Sequence, residues 1–205
     1  MRLWMFLALV LASQSPRHWV DINSDTRRIA EDKLDELQHE GDPRSGRAAT
    51  AFKSARLDDP LYYYEADAGV GSFAADSSND LMPYLTSRSV IFPVVVGNDA
   101  VGILLFKTSL GSTCYFAPAP PGIYEQYENA TRHVRLDRDQ LLSVASAGGG
   151  DYLIVEDGAT IYRMAPCTTR TLLWLGLNDQ HVEDLRFVTP KEMGPLIKRA
   201  LRGGE

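Results

Sequence analysis

The chain has 205 residues, 44% hydrophobic and 23% charged, with 16 Gly, 11 Pro and two Cys. These proportions belong to a folded globular protein and exclude a disordered tail, a collagen-like repeat and a dense disulfide scaffold. A formal net charge of -6 excludes a main role in gripping phosphate backbones, because that affinity comes from clustered Lys and Arg displacing counterions.

Residues 3–12 (LWMFLALVLA) are an unbroken apolar run behind Arg2 and ahead of the polar SQS. As a helix this run rises only about 15 Å, half of a hydrocarbon core, so no integral membrane span is expected. It reads as the apolar core of a signal peptide over residues 1–12, with Val10 and Ala12 at the cleavage positions. Export to a periplasmic or extracellular location follows from that reading; a buried N-terminal element and a membrane-surface anchor are the competing ones. In an oxidising compartment, Cys114 and Cys167 are expected to close one disulfide, adding about 3–4 kcal/mol by loop entropy. The sequon Asn129-Ala130-Thr131 reads as a chance tripeptide.

Residues 13–59 form a charged, helical N-terminal segment. Ser24 caps a predicted helix over residues 25–39, with Ala30, Leu34 and Leu37 on one face, stopped by Gly41-Asp42-Pro43. A weaker helix is expected over residues 44–56. From residue 60 to residue 205 the texture is that of one α+β globular domain. Short strands rich in Val, Ile, Tyr and Phe are expected at 61–65, 90–96, 101–106, 113–117, 133–136, 152–156, 160–164 and 171–177. Asp157-Gly158 supplies a tight primed turn, and Gly97 to Ala100 a second hairpin connection, so these neighbours run antiparallel. A helix is expected over 137–147, from the Asp137/Gln140 capping pattern. At the C-terminus, Thr189-Pro190 starts a short turn over 190–193, and Pro195 starts a new helix because a proline inside one removes an amide. The fold class is therefore α+β: an antiparallel or mixed β-sheet built from hairpins, with helices packed mostly on one face and an N-terminal helical segment.

The residues that could carry chemistry are few. Gly69 to Ala74 matches a dinucleotide fingerprint in letter, but the acidic AADSSND that follows would repel phosphate, so no cofactor is expected. The four His are scattered and the acidic runs lack calcium-loop spacing, so no metal is expected either. Cys114 with His133 and Asp137 supplies the residue types of a cysteine nucleophile, its base and an orienting acid, although a disulfide would consume the same thiol. The least ordinary pattern is Tyr beside acid: Tyr62, Tyr64, Tyr124 and Tyr127 stand out as candidates for contact with a partner. Residues 60–131 hold 7 acidic and 2 basic side chains, so the partner they would attract is a protein with a basic surface. The leading expectation is a small exported module without catalysis of its own, acting by binding, inhibition or as an accessory. The alternatives are an exported cysteine hydrolase using Cys114 and His133, and an intracellular acidic chaperone or immunity-like partner protein.

Overall fold

The computed structural model describes residues 18–43, 46–66, 79–97, 99–107, 113–117, 123–177 and 186–203. In chain order its elements are β1 (His18–Trp19), α1 (Ser24–Glu40), β2 (Ala55–Leu57), β3 (Leu61–Ala66), β4 (Leu85–Val96), β5 (Asp99–Lys107), β6 (Thr113–Ala117), α2 (Ile123–His133), β7 (Gln140–Ala147), β8 (Gly150–Asp157), β9 (Thr160–Pro166), α3 (Thr169–Trp174) and α4 (Pro190–Gly203). One mixed sheet runs β6-β5-β4-β3-β7-β8-β9, and β1 and β2 add short segments to β4. The class is α+β, as the residue pattern predicts. The apolar run 3–12 and the Gly69 to Ala74 motif lie outside the described residues.

The sheet consists of two antiparallel blocks, β6-β5-β4-β3 and β7-β8-β9, joined by one parallel contact between β3 and β7. Hairpins make each block because their turns need almost no chain: β8 ends at Asp157 and β9 begins at Thr160, with Gly158 at φ 57. The twelve-residue β4 carries partners along both edges. Pro93 sits in its middle without breaking the ladder: its carbonyl accepts from Asp58 N at 2.9 Å. Its missing N–H faces the same side, where the chain passes from β2 to β3 and asks for no donor.

Side chains alternate between the two faces. Tyr62, Val90, Phe106 and Cys114 are in register on one face, and Leu61, Ile91, Leu105 and Tyr115 on the other. The first face is covered in two parts: α1 places Ala30, Leu34 and Leu37 over Val90, Phe92 and Leu104, whereas Leu175, Met193 and Ile197 of the C-terminal helical region cover Tyr152, Ile154 and Met164. The opposite face carries α2, through Ala130 and Tyr127. Burial of each large core side chain such as Phe92, fully enclosed, contributes about 1.5–3 kcal/mol.

Several predicted elements are corrected. Residues 140–147 form strand β7, not a helix. Asp137 and Gln140 do make reciprocal side-chain bonds, but in the turn that enters the strand. Of the helix expected over 44–56, the described residues from 46 onward instead form a short 3-10 turn at Ala49–Ala51 followed by β2. The strand expected at 171–177 is replaced by helix α3 up to Trp174 and a turn after it, because the Thr168 hydroxyl accepts from Thr171 N and caps the helix. The strand expected at 133–136 is the end of α2 and an irregular stretch. Pro195 lies inside one continuous α4; it and Lys191, the residue one turn back whose carbonyl a proline cannot serve, are both exposed rather than packed in the core. Asn23, rather than Ser24, caps α1, its carboxamide oxygen accepting from Asp25 and Thr26 N.

The β7–β8 turn generates a test. Gly148 has φ 57, and a Cβ there would stand 2.7 Å from Ile197 Cγ2; Gly158 has the same φ with open space around it. Gly158→Ala should lower the stability read from urea unfolding by about 1 kcal/mol, the cost of the backbone conformation alone. Gly148→Ala should cost about 2–3 kcal/mol because a steric clash with the core is added.

Candidate functional site

The two cysteines are free, which overturns the expected disulfide. Cys114 lies on β6 at one edge of the sheet and packs with the α1-covered face. Cys167 follows β9 at the other edge and packs on the opposite face. Six strand spacings separate the two edges, about 29 Å along the sheet, whereas a disulfide needs Cα atoms about 4.4–6.8 Å apart. Burial pushes the Cys114 thiol up from 9.0 to about 11, slightly opposed by Lys33, and also raises Cys167, with Asp151 adding to the shift. A thiol held neutral is a poor nucleophile.

His133 is the last residue of α2, a helix that packs on the face opposite the one against which Cys114 lies. Asp137 is exposed and bonded to Gln140. Tyr127 packs into the α2-covered core, and desolvation followed by Asp59 and Asp58 raises its phenol. Tyr124 lies on α2. Tyr64 is fully buried and offers no surface to a partner; Tyr62 is half-buried and keeps part of its ring accessible. Among the described residues, no three His, Cys, Asp or Glu side chains gather as a metal-holding group.

The most organised side-chain assembly lies where the α1-covered part of the first face meets the part under α3 and α4. Here β1 pairs with β4 in parallel, so that Trp19 stands opposite Arg88. The Arg88 guanidinium sits 4.6 Å from the Trp19 ring centre and 4.4 Å from that of Tyr62. Its Nε donates to Val20 O at 3.1 Å and its Nη2 to the Asp21 carboxylate. Two aromatic faces and two acceptors therefore fix a cation that would otherwise be mobile. The stack opens to solvent at its rim: the Arg88 side chain is only 14% exposed, whereas Asp21 is 68% exposed. Ile22, 37% exposed, adjoins it and donates its N–H to Tyr62 Oη at 3.4 Å.

Behind this stack the assembly becomes internal. Tyr64 lies 6.4 Å from Trp19 and 6.2 Å from Tyr62, centre to centre. Its hydroxyl donates to Glu156 Oε2 at 2.6 Å. Burial, then the Glu156 carboxylate, raise the Tyr64 phenol, and Arg88 opposes them. Glu156 is 4% exposed. Its second oxygen, Oε1, and Ser143 Oγ have no partner among the described residues. An unsatisfied buried polar group costs about 1–3 kcal/mol, and more when charged.

The other face carries a transverse polar row. Ser87, Glu65, Ser146 and Asp151 are successive register partners across β4, β3, β7 and β8. Glu65 accepts from Ser87 Oγ at 2.9 Å and from Lys107 Nζ at 2.8 Å. Burial raises Asp151, with Ser146 and Arg170 opposing. Beside the row, Tyr63 is pushed up to about 12, first by burial and then by Asp151. Each carboxylate of this row already has a donor or a cation beside it, so the row satisfies itself rather than awaiting a ligand.

Residue types alone did not point to Arg88, Trp19, Ser143 or Glu156. One signal was available: Arg88 and Lys107 are the two cations of residues 60–131, and Glu156 interrupts the apolar run YLIV, where alternation turns it inward.

Two measurements test this geometry. Unreduced, denatured protein should titrate two thiols. In the folded protein at pH 8, Cys114 should alkylate about a hundredfold more slowly than an unfolded-chain thiol, the factor set by two pH units. Stability held by the neutral thiol is complete below pH 9 and falls as pH rises towards 11. Tyr64→Phe should cost about 1–3 kcal/mol by stripping a donor from buried Glu156; adding Glu156→Leu should cost less than the sum of the two single changes, a coupling read from a double-mutant cycle. Comparison of the chain with family models, with curated proteins and with solved structures finds no match to any of them.

Proposed function

We propose that this protein is a small binding module without catalysis of its own, that it recognises another protein, and that the Trp19–Arg88–Tyr62 stack is the centre of its contact surface. The observation that carries the reading is the stack itself. Trp, Tyr and Arg are the residue types that dominate binding energy at protein interfaces. Here all three are held in one fixed geometry, still partly accessible, beside the exposed Ile22. Rigid placement before contact lowers the entropy cost of association.

The charge pattern supports a partner with a basic surface. Asp21 stands at the rim of the stack, 68% exposed, and residues 60–131 carry a net charge of -5, from 2 basic and 7 acidic side chains. Such a field raises the encounter rate with a cationic surface and loses effect as salt rises. Export belongs to the same proposal and rests on the apolar run 3–12.

The test uses the folded chain as bait in its native host, identification of what it retains, and affinity measurement with the purified partner. Tyr62→Ala and Arg88→Ala should each weaken binding by about 2 kcal/mol, roughly thirtyfold. Leu173→Ser, an exposed apolar site on α3, should leave it unchanged. Circular dichroism checks that each variant is folded. Equal affinity of the wild type, Tyr62→Ala and Arg88→Ala would overturn the assignment of the surface.

A further inference from the structure

We infer that the first face of the sheet encloses a binding site for a single water molecule, held between Ser143 Oγ of β7 and Glu156 Oε1 of β8. The two residues project to the same face. Ser143 is in register with Ile154 and Leu141 with Glu156, so Ser143 and Glu156 are diagonal neighbours across one strand pair. Both lie beyond nine-tenths burial, at 1% and 4% exposure. Both oxygens are shut off from solvent and neither bonds the other or any described group. The neighbouring hydroxyl of Tyr64 cannot serve Oε1, because it already donates to Oε2 at 2.6 Å.

Chemistry selects the ligand. A carboxylate oxygen only accepts, so the occupant must donate; a Ser hydroxyl both donates and accepts. An anion is rejected by the carboxylate. A metal cation needs more oxygens than these two, since hard cations take about six or more. Water supplies a donor to Glu156 and exchanges a bond with Ser143. Diagonal neighbours on a sheet lie about 7–8 Å apart at Cα. One water joining the two oxygens makes a bond of about 2.8 Å on either side. In the neighbouring row the residue opposite Tyr64 is the small Ala145. This site does not depend on the proposed binding role.

Oxygen-17 relaxation dispersion counts long-lived internal waters in the intact protein, and a crystal structure of the wild-type chain locates them. One water within hydrogen-bond distance of both oxygens is expected. The Ser143→Ala/Glu156→Leu double variant, which removes both partners and leaves no orphan, should hold one long-lived water fewer. Glu156→Gln, which keeps a hydrogen-bonding group there, should hold the same number as wild type. The proposal is overturned if the crystal shows Ser143 Oγ bonded directly to Glu156 Oε1, if the density there is a cation, or if the double variant loses no water. The wild-type crystal decides the matter even if the double variant does not fold.

Discussion

The hydrogen bond from Tyr64 to Glu156 spans the seam on which the whole sheet depends. Among the described strands, the two antiparallel blocks are hydrogen-bonded to each other where β3 runs parallel to β7, over three registered pairs from Tyr63↔Val144 to Glu65↔Ser146. Parallel pairing is the less stable kind per residue, and three pairs are few. The phenol of Tyr64 adds to it by reaching past β7 to the second strand of the other block. On its own side the same ring packs against Trp19 and Tyr62, the two rings that hold Arg88. One buried side chain thus connects the accessible stack, the parallel seam and the enclosed carboxylate.

That connection gives the surface its rigidity. A guanidinium at a protein surface ordinarily samples many rotamers, and binding would have to freeze them. Here the freezing is done by the fold, because β1 delivers Trp19 opposite Arg88 and β3 delivers Tyr62 from the other side. The helices are peripheral to this arrangement: α1 covers one block, α3 and α4 the other, and the stack lies between them. The polar row on the opposite face closes the core at the same end of β3, with Glu65 shared between Ser87 and Lys107.

Much of the fold was legible wherever local chemistry and tertiary packing agreed. The α1 stripe of Ala30, Leu34 and Leu37, the Asp157-Gly158 turn and the strands expected at 61–65, 113–117 and 160–164 follow directly from spacing and turn residues, the first and last of these strands running on to Ala66 and Pro166 in the fold. β7 was not legible, because a reciprocal Asp137/Gln140 pair stabilises a turn into a strand as readily as a helix start. The small Ser and Ala residues after it are what a strand covered on both faces requires. α3 was misread because Thr171 to Trp174 have strand-like side chains, and one threonine cap outweighs that preference. Of the candidate tyrosines, Tyr64 goes to the interior, whereas Tyr62 and Tyr127 are both half-buried, Tyr127 against the α2-covered core. The alternation of a strand decides which tyrosine faces inward only once its neighbours on both sides are known. The disulfide failed for the same reason: Cys114 and Cys167 sit near strand ends, but sheet order, which spacing in sequence does not reveal, puts them at opposite edges.

The parallel seam also sets a timetable for the nascent polypeptide. Tyr63 must wait for Val144, 81 positions later, and ribosomes add about 5–20 residues per second, so roughly 4 to 16 s pass in which β3 has one flank open. During that interval the emerging N-terminal block displays an unpaired, tyrosine-rich border, the kind of border to which holding chaperones and stray strands attach. Synthesis speed through residues 67–144 therefore bears on the yield of native protein, even though most of that stretch contributes nothing to the stack on the finished surface.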